Sequence, residues 1–405
     1  MQRLLISGGG TGGGTYPAIA VAAAVQHRLP DCAILWMGTP NGIERGLVER
    51  AGLDFTAVPS GPLVGVGLRA GPSALKIAVG TLAALVTIAR FRPDALLMTG
   101  GWPVLPATLA CRILGVPIAI YLPDLEPGGT IRITSRFARV VATNFDQSAE
   151  YFPEGKTVTC GYPLRADVLR AAGFNASGQP LPDPPASKAR AAERFGLADG
   201  APVVLVFGGS KGTSTINEAV LNHLSPLVEH AHLIHITGRE HWEQVQARAA
   251  SSAATQLSGT IRVGEEKQFG RTTVDLNAAI ANRYHPFDYL HSDDMALALA
   301  AADLAVSRAG AATLGEYPLF GLPAVLVPLE RAWRYQRINA EFLADRGAAV
   351  ILPDGDLVEE LGPLVSDLLA GADRLAAMAH AAESLRRPDA ASRVVDVLVD
   401  LTSQT

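Results

Sequence analysis

Three segments rich in glycine and other small residues each follow a short apolar run and precede a stretch with helical periodicity. They span residues 8–14, 208–212 and 308–316. Glycine has no Cβ, so backbone N–H groups can face a ligand, and the N-terminus of the following helix adds positive potential. Each segment therefore predicts a turn that can bind phosphate.

The first of these turns supplies six candidate phosphate-binding residues: Gly10, Thr11, Gly12, Gly13, Gly14 and Thr15. Its glycines also fit the GxGxxG pattern of dinucleotide-binding domains, which is the alternative interpretation. That pattern requires an acidic residue about 20 residues further along, at the end of the second strand. The chain has Met37-Gly38-Thr39 there, so a phosphate site is favoured over a dinucleotide site.

The second and third turns combine small residues with polar side chains. The residues concerned are Ser210, Lys211, Gly310, Ala311, Ala312, Thr313 and Glu316. The glutamate lies near the start of a predicted helix, where its carboxylate can accept hydrogen bonds from sugar hydroxyls while phosphate contacts the N–H groups. A purely structural turn and a solvent-exposed helix glutamate are the alternatives.

Short apolar runs alternate with longer helical patterns through the first 165 residues. Predicted strands span Arg3–Ser7, Ala33–Met37, Ala95–Thr99, Ile118–Tyr121 and Val140–Thr143. Predicted helices span Pro17–Arg28, Gly42–Ala51, Ser73–Arg90 and Val104–Leu114. This alternation predicts a parallel sheet with helices on both faces, in which ligands bind beyond the C-terminal ends of the strands.

A second series of strands predicts a second domain of the same kind. Its strands span Val203–Phe207, Leu233–Thr237, Leu304–Ser307, Ala324–Val327 and Ala349–Leu352. We expect an N-terminal Rossmann-like domain over residues 1–165, a linker or insertion over 166–200 and a C-terminal Rossmann-like domain over 201–385. Residues 251–282 predict an irregular insertion. A last helix, at about 374–401, is expected to bring residues 386–405 onto the first domain.

Composition and charge narrow the class of protein. The chain has 405 residues, of which 48% are hydrophobic and 18% charged, so two folded domains with large cores are expected. A net charge of -5 disfavours a nucleic-acid partner. The cysteines Cys32, Cys111 and Cys160 are odd in number and widely spaced. We expect buried thiols in a reducing cytosol rather than disulfides or a zinc site.

The most apolar stretch of the chain runs from Ile77 to Ala89, with Lys76, Arg90 and Arg92 beside it. A membrane-spanning helix needs about 20 apolar residues, so this run is expected to be too short to cross a bilayer. Two interpretations remain open, a buried core helix and a helix that lies on an anionic membrane surface.

Six segments resemble, in this order, the MurG family of glycosyltransferases, which belongs to glycosyltransferase family 28. The segments are GGGTGGGTYPAIAVA, TGGWPVLPATLACRILGVPIAIY, CGYPLRADVL, VLVFGGSKGTSTINEAV, ADLAVSRAGAATLGEYPLFGLPAVLVPL and YQRINAEFLADRGAAVIL. The resemblance implies the GT-B fold, an α/β architecture of two doubly wound Rossmann-like parallel-sheet domains that face each other across a cleft. It also implies transfer of N-acetylglucosamine from its uridine diphosphate (UDP) donor to the lipid-linked muramoyl-pentapeptide of peptidoglycan synthesis. That transfer would invert the sugar configuration, use no metal or other cofactor, and take place on the inner face of the plasma membrane.

The resemblance also implies residue roles. The diphosphate of the donor would be held by residues Arg165, Ser210, Lys211, Gly310, Ala311, Ala312 and Thr313. Glu316 would bind the ribose hydroxyls, and Gln336 and Asn339 would reach the donor sugar or its phosphate. The nucleotide base would lie against backbone near Tyr289 and Leu290. The first glycine turn would serve the acceptor and its diphosphate.

Departures from the family pattern concentrate on the acceptor side. Gly14 stands where the family has a histidine, and Tyr121-Leu122-Pro123-Asp124 and Trp102-Pro103-Val104-Leu105-Pro106 replace two polar segments. Tyr335 also replaces a glutamine expected to contact the donor sugar. These changes leave open a different lipid acceptor, such as a diacylglycerol, and a protein that binds the nucleotide sugar without transferring it.

The catalytic base is assigned to a carboxylate. Thr15 cannot replace an imidazole as a base near pH 7. Asp124, just after the predicted strand Ile118–Tyr121, is therefore the expected base, with Glu126 as the alternate and a plain turn aspartate as the competing interpretation. Asp293 and Asp294 are expected to cap a helix rather than to bind a metal.

Overall fold

This computed structural model describes residues 1–9, 12–62, 70–209, 212–249, 282–329 and 334–403. The chain divides into two units, each with its own parallel β-sheet. Unit 1 comprises Met1–Pro184, Ala311–Gly315 and Arg387–Thr405, and unit 2 comprises Pro185–Gly310 and Glu316–Arg386. Two parallel-sheet units confirm the predicted α/β fold class. The insertion predicted at 251–282 lies outside the described residues, apart from Asn282.

Unit 1 contains a seven-stranded sheet in the order β3-β2-β1-β4-β5-β6-β7. Its strands are β1 (Arg3–Ser7), β2 (Ala33–Gly38), β3 (Asp54–Ala57), β4 (Ala95–Met98), β5 (Ile118–Leu122), β6 (Val140–Thr143) and β7 (Thr157–Thr159). The five strands predicted from apolar runs are present, because strands covered by helices on both faces are apolar throughout. The two edge strands, β3 and β7, are short and partly exposed. They contain no apolar run, so the sequence did not predict them.

The first six helices belong to unit 1. They are α1 (Gly12–Arg28), α2 (Glu44–Arg50), α3 (Ala70–Phe91), α4 (Val104–Leu114), α5 (Gly129–Thr134) and α6 (Ala166–Ala171), with a 3-10 turn at Asp146–Tyr151. The start of α1 differs from the prediction, which placed it at Pro17. Three glycines, which have low helix propensity, form its first turn.

Unit 2 contains a six-stranded parallel sheet in the order β10-β9-β8-β11-β12-β13. Its strands are β8 (Val203–Phe207), β9 (His232–Ile236), β10 (Tyr284–Phe287), β11 (Leu304–Ser307), β12 (Ala324–Leu326) and β13 (Ala349–Ile351). The strand that escaped prediction is β10, which contains Pro286 and lies at the edge of the sheet. Proline lacks an N–H and is tolerated at such an edge.

The helices of unit 2 cover its sheet. They are α7 (Ser187–Phe195), α8 (Ser214–Asn222), α9 (Leu224–His230), α10 (Ser292–Ala301), α11 (Glu316–Phe320), α12 (Arg334–Asp345), α13 (Leu357–Ala370) and α14 (Ala372–Ser384), with a 3-10 turn at Asp354–Asp356. A further 3-10 turn, Ala311–Leu314, belongs to unit 1, and Gly315 separates it from α11.

The single helix predicted over about 374–401 is wrong. After α14 ends at Ser384, a new helix, α15, spans Ala390–Ser403. Pro388 lies between them, and its missing N–H prevents a continuous helix. In unit 1, α15 packs against α1, and Val394 and Leu398 join the buried core on that face of the first sheet.

The three cysteines are free and buried, as predicted. Burial raises the pKa of the Cys111 and Cys160 thiols to about 12. Both thiols are therefore protonated at neutral pH and are poor nucleophiles.

Candidate functional site

The first glycine turn follows β1 at the C-terminal edge of the first sheet, and the turns after β2 and β4 flank it. A Cβ on Gly9 would lie 2.5 Å from the Cδ atom of Glu44. A Cβ on Gly8 would lie 2.1 Å from the Oγ1 atom of Thr99. A Cβ at either position would force Glu44 or Thr99 to shift, so this packing favours glycine. The turn is held between Glu44 on one side and Thr99 on the other.

Glu44 is a fully buried carboxylate that the sequence analysis missed. Its Oε1 atom accepts hydrogen bonds from the N–H and the hydroxyl of Thr39, both at 3.0 Å. The carboxylate also lies against Gly38 and Gly42, where a Cβ would meet it at 3.0 Å or less. The sequence contains one indication of this site. Gly38 and Gly42 are close to Glu44 in the chain, and glycines leave room for a buried carboxylate.

A buried network fixes the backbone of residues 123–126, which contains both predicted bases. Asn144 Nδ2 donates to the carbonyl of Pro123 at 2.5 Å. Ser148 Oγ donates to the carbonyl of Leu125 at 2.9 Å. The segment is therefore positioned by residues that follow the neighbouring strand, β6.

Asp124 and Glu126 have different surroundings. Glu126 is buried, and its Oε1 atom lies 2.6 Å from Nη2 of Arg132. Asp124 is half-buried. The ion pair with Arg132 engages one oxygen of the Glu126 carboxylate. The catalytic role of Asp124, and that of Glu126 as its alternate, stay predictions.

Arg165, predicted to hold the donor diphosphate, directly precedes α6. Its guanidinium lies over the ring of Tyr16, 5.1 Å from the ring centroid. Its Nη1 atom lies 3.2 Å from Oδ2 of Asp167. Because Tyr16 belongs to α1, the cation is held beside the helix that follows the first glycine turn.

Arg308, at the start of the third glycine turn, was not singled out from the sequence. Its Nη1 atom lies 2.5 Å from Oδ1 of Asp354. Its Nη2 atom donates to the hydroxyls of Thr213 at 2.9 Å and Thr215 at 2.8 Å. These threonines follow the second glycine turn, so Arg308 connects the second and third turns at the C-terminal edge of the second sheet. The sequence contains one indication of this role, because Arg308 is a charged residue among small ones and directly follows an apolar strand.

The third turn is tighter than the sequence suggests. Residues Ala311–Leu314 form a 3-10 turn, in which Thr313 is buried, and α11 begins only at Glu316. Glu316 is therefore the first residue of its helix and is half-buried. Leu290, expected beside the nucleotide base, is buried just before α10.

The two amides predicted to reach the donor sugar support backbone in unit 2. Asn339 is fully buried, and its Nδ2 donates to the carbonyl of Ala309 at 3.2 Å. Gln336 Oε1 accepts a hydrogen bond from the N–H of Leu329 at 3.1 Å. They hold the segments after β11 and β12, and their contacts with the donor stay predictions.

Some predicted features fall elsewhere. Gly10, Thr11, Ser210 and Lys211 lie outside the described residues.

The predicted capping role of Asp293 and Asp294 is wrong, because the residue at the cap of α10 is His291 and makes no side-chain cap bond. Asp294 instead accepts two hydrogen bonds from Arg194, at 2.9 and 2.8 Å. Within the described part of the chain, no group of three or more His, Cys, Asp or Glu side chains could hold a metal ion.

Both halves of the chain match models of one protein family. The N-terminal domain model of glycosyltransferase family 28 matches residues 4–143, and the C-terminal domain model matches residues 203–394. The chain belongs to glycosyltransferase family 28. The resemblance to MurG and the expectation of an enzyme, a glycosyltransferase, are thereby confirmed.

Full-length relatives within family 28 agree with this assignment. One is the UDP-N-acetylglucosamine--N-acetylmuramyl-(pentapeptide) pyrophosphoryl-undecaprenol N-acetylglucosamine transferase of Nitratidesulfovibrio vulgaris strain DP4, 36% identical, covering 100% of this chain and 99% of the relative. The enzyme of the same name from Desulforudis audaxviator is 32% identical with the same coverage. The crystal structure of Acinetobacter baumannii MurG is similar with a TM-score of 0.71 and 27% identity, covering 99% of this chain and 100% of that one. The family 28 fold therefore extends over the whole chain.

Proposed function

We propose that this protein transfers N-acetylglucosamine from UDP-N-acetylglucosamine to an N-acetylmuramyl-pentapeptide linked to undecaprenol through pyrophosphate. The observation that carries the proposal is the match of the whole chain, at 36% identity, to a transferase of that name. Glycine turns at the C-terminal edges of both sheets support it, since each substrate carries a diphosphate.

In the proposed reaction, a sugar hydroxyl of the acceptor attacks the anomeric carbon of N-acetylglucosamine. The bond between that carbon and the diphosphate oxygen breaks, UDP leaves with the bonding electrons, and the configuration inverts. Asp124 accepts the hydroxyl proton, with Glu126 as the alternate, and such a base contributes about 10²- to 10⁴-fold in rate.

Donor binding is proposed to use Arg165, the turn of residues 310–313 and Glu316. The guanidinium and the N–H groups of Gly310–Thr313 would offset the charge that develops on the leaving diphosphate, so we propose no metal or other cofactor. Glu316 would accept hydrogen bonds from the ribose hydroxyls, with the base beside Leu290. Carboxylate acceptors form the stronger, charge-assisted class of hydrogen bond.

The helix α3 offers a surface for the lipid side of the reaction. Its segment Gly71–Phe91 is long and apolar enough to cross a membrane by length and composition alone, with a mean hydropathy of 1.7. The helix is longer than the apolar run Ile77–Ala89, because helical structure continues on both sides of that run. One face packs into unit 1 through buried Ile77 and Ile88, whereas Leu75 and Leu82 are 68% and 66% exposed.

A helix with one face in its own domain and an apolar face exposed suits the surface of a membrane better than its interior. Lys76, Arg90 and Arg92 are exposed along or just beyond it, and each basic residue near an anionic surface contributes about 1 kcal/mol. We therefore propose peripheral association with the anionic inner face of the plasma membrane, where the lipid acceptor is reached.

Two other functions are favoured by particular observations. Trp102 follows β4 and is 41% exposed, and apolar residues follow it in the sequence. These residues suit a different lipid acceptor, of the glycosyl-diacylglycerol type. Gly14, which brings no side chain to the first turn, suits a protein that binds the nucleotide sugar and transfers nothing.

One assay separates these functions. Purified protein receives labelled UDP-N-acetylglucosamine with either the muramyl-pentapeptide lipid or a membrane lipid extract, and mass spectrometry identifies the product. Transfer to the muramyl-pentapeptide lipid is the expected result. A labelled product found only with the extract would replace the acceptor. Donor binding without transfer or hydrolysis would favour the binding protein.

A further inference from the structure

Thr99 and the N-terminus of α1 face each other at the C-terminal edge of the first sheet. Thr99 directly follows β4 and is 3% exposed. A Cβ on Gly14, in the first turn of α1, would lie 3.3 Å from Oγ1 of Thr99, and one on Gly8 would lie 2.1 Å from the same atom. The hydroxyl is therefore enclosed between the end of β1 and the first turn of α1.

Among the residues that the structure describes, none is a hydrogen-bond partner of this buried hydroxyl. Two other buried threonines of the same unit are paired: Thr108 donates to the carbonyl of Val104 at 2.7 Å, and Thr81 donates to that of Ile77 at 2.8 Å. An unpaired buried hydroxyl is unfavourable, and valine would fill the same space without that cost. The chain thus keeps a polar atom at a position where packing alone favours an apolar one.

The first turn of α1 presents the groups that this hydroxyl can meet. The first N–H groups of a helix have no partners within the helix, and here Gly12, Gly13 and Gly14 carry them. Such N–H groups, with the helix dipole behind them, attract a phosphate oxygen. A hydroxyl both donates and accepts, so it can join either the N–H groups or the phosphate.

We propose that Thr99 is a positioning residue for the acceptor diphosphate. When the diphosphate binds at the N-terminus of α1, the Thr99 hydroxyl hydrogen-bonds this turn and holds the Gly12–Gly14 amides on the phosphate. On the opposite side, Glu44 accepts hydrogen bonds from Thr39 and so fixes that side of the turn. The inference rests on the proposed function, which supplies an acceptor that carries a diphosphate.

Two variants test Thr99 directly. Thr99→Val removes the hydroxyl and keeps the shape, whereas Thr99→Ser keeps the hydroxyl. We expect Thr99→Val to raise the midpoint of thermal unfolding by about 2 °C and to lower kcat/KM for the lipid acceptor about tenfold, while the dissociation constant for UDP stays unchanged. Thr99→Ser should keep kcat/KM near the wild-type value. An unchanged kcat/KM in Thr99→Val would overturn the proposal.

Amide hydrogen exchange separates this inference from the proposed function. The probe is inorganic pyrophosphate, and the readout is the protection of the amides of residues 12–15. Protection in the wild type and in Thr99→Ser, with less in Thr99→Val, supports the role of Thr99 even in a protein that transfers no sugar. Equal protection in all three proteins overturns it. A wild type that gains this protection but transfers no N-acetylglucosamine would remove only the proposed function.

Discussion

Asp124 is the predicted base, and Glu126, two residues further along the chain, has its Oε1 atom 2.6 Å from Nη2 of Arg132. Asp124→Asn keeps the shape of the side chain and removes its basicity. We expect turnover to fall about 10²-fold or more with UDP binding intact. Steady-state kinetics and calorimetry measure the two quantities.

Glu126→Gln is the matched control for this prediction. It removes a carboxylate that is engaged by Arg132, so it should lower turnover less than Asp124→Asn does. Wild-type turnover in Asp124→Asn together with a loss in Glu126→Gln would exchange the two roles.

Glu316 is the residue on which the proposed ribose contact depends. A carboxylate that accepts two hydroxyl hydrogen bonds contributes about 1.5 to 3 kcal/mol for each, partly offset by desolvation. Glu316→Ala should therefore weaken UDP binding roughly tenfold to a hundredfold in calorimetry. Glu360→Ala, at an exposed position of α13, is the control and should bind UDP like the wild type. An unchanged dissociation constant in Glu316→Ala would remove this residue from the site.

Single residues were predictable where the motif itself contains them. Small residues after apolar strands indicated the three turns, because strand ends and helix starts are local features of the sequence. Arg308 was missed because the partners of its guanidinium, Thr213 and Asp354, belong to other strand ends of the sheet. Thr99 and Glu44 were missed for the same reason. Only the order of strands in a parallel sheet brings such residues together.

Buried strands and helices could be predicted from the sequence more readily than exposed ones. Central strands such as β4 are apolar throughout, so their sequences identify them. The edge strands β3, β7 and β10 are short or partly polar, and pairing with a neighbour, rather than their own composition, makes them strands. Pro388 indicates the break between α14 and α15 in the sequence itself. The break was missed because the apolar residues on both sides keep a helical periodicity.

The helix α3 gives a prediction about membrane binding. Sedimentation with anionic vesicles should be strong at low salt and should fall as ionic strength rises, because surface charges are screened. Leu82→Glu places a charge on the exposed apolar face and should reduce binding further. Val358→Glu, at a position 46% exposed on α13 in unit 2, is the matched control. A wild-type protein that ignores such vesicles at low salt would contradict the proposed membrane contact.

The two units of the molecule differ in their buried histidines, and this difference bears on the stability of the whole chain. His235 of unit 2 is fully buried, with its ring nitrogens 3.0 Å from the hydroxyl of Tyr284 and 3.0 Å from Oδ1 of Asn217. Burial lowers the pKa of His235 to about 3. Burial and the nearby His232 also lower the pKa of His285, to about 4.

These depressed pKa values make the folded protein sensitive to acid. The unfolded chain binds a proton on each histidine near pH 6.5, whereas the folded chain keeps His235 and His285 neutral until the pH is much lower. Stability is therefore complete above about pH 6.5 and is lost as the pH falls toward the folded pKa values. For His235 alone, the loss between pH 7 and pH 4 is about 3 kcal/mol.

We expect unit 2 to unfold first on acidification, because both histidines belong to it. Hydrogen exchange monitored by mass spectrometry between pH 7 and pH 4, corrected for the intrinsic pH dependence of exchange, should show protection falling in the peptides of β8 and β9 before those of β1 and β4. His235→Gln removes one of the titrating groups, so its stability should depend less steeply on pH even if it is lower at pH 7. His380→Gln, at an exposed position of α14, is the control and should keep the wild-type dependence. If the peptides of β1 and β4 lost protection first, acid unfolding would begin in unit 1, and the buried histidines would not govern it.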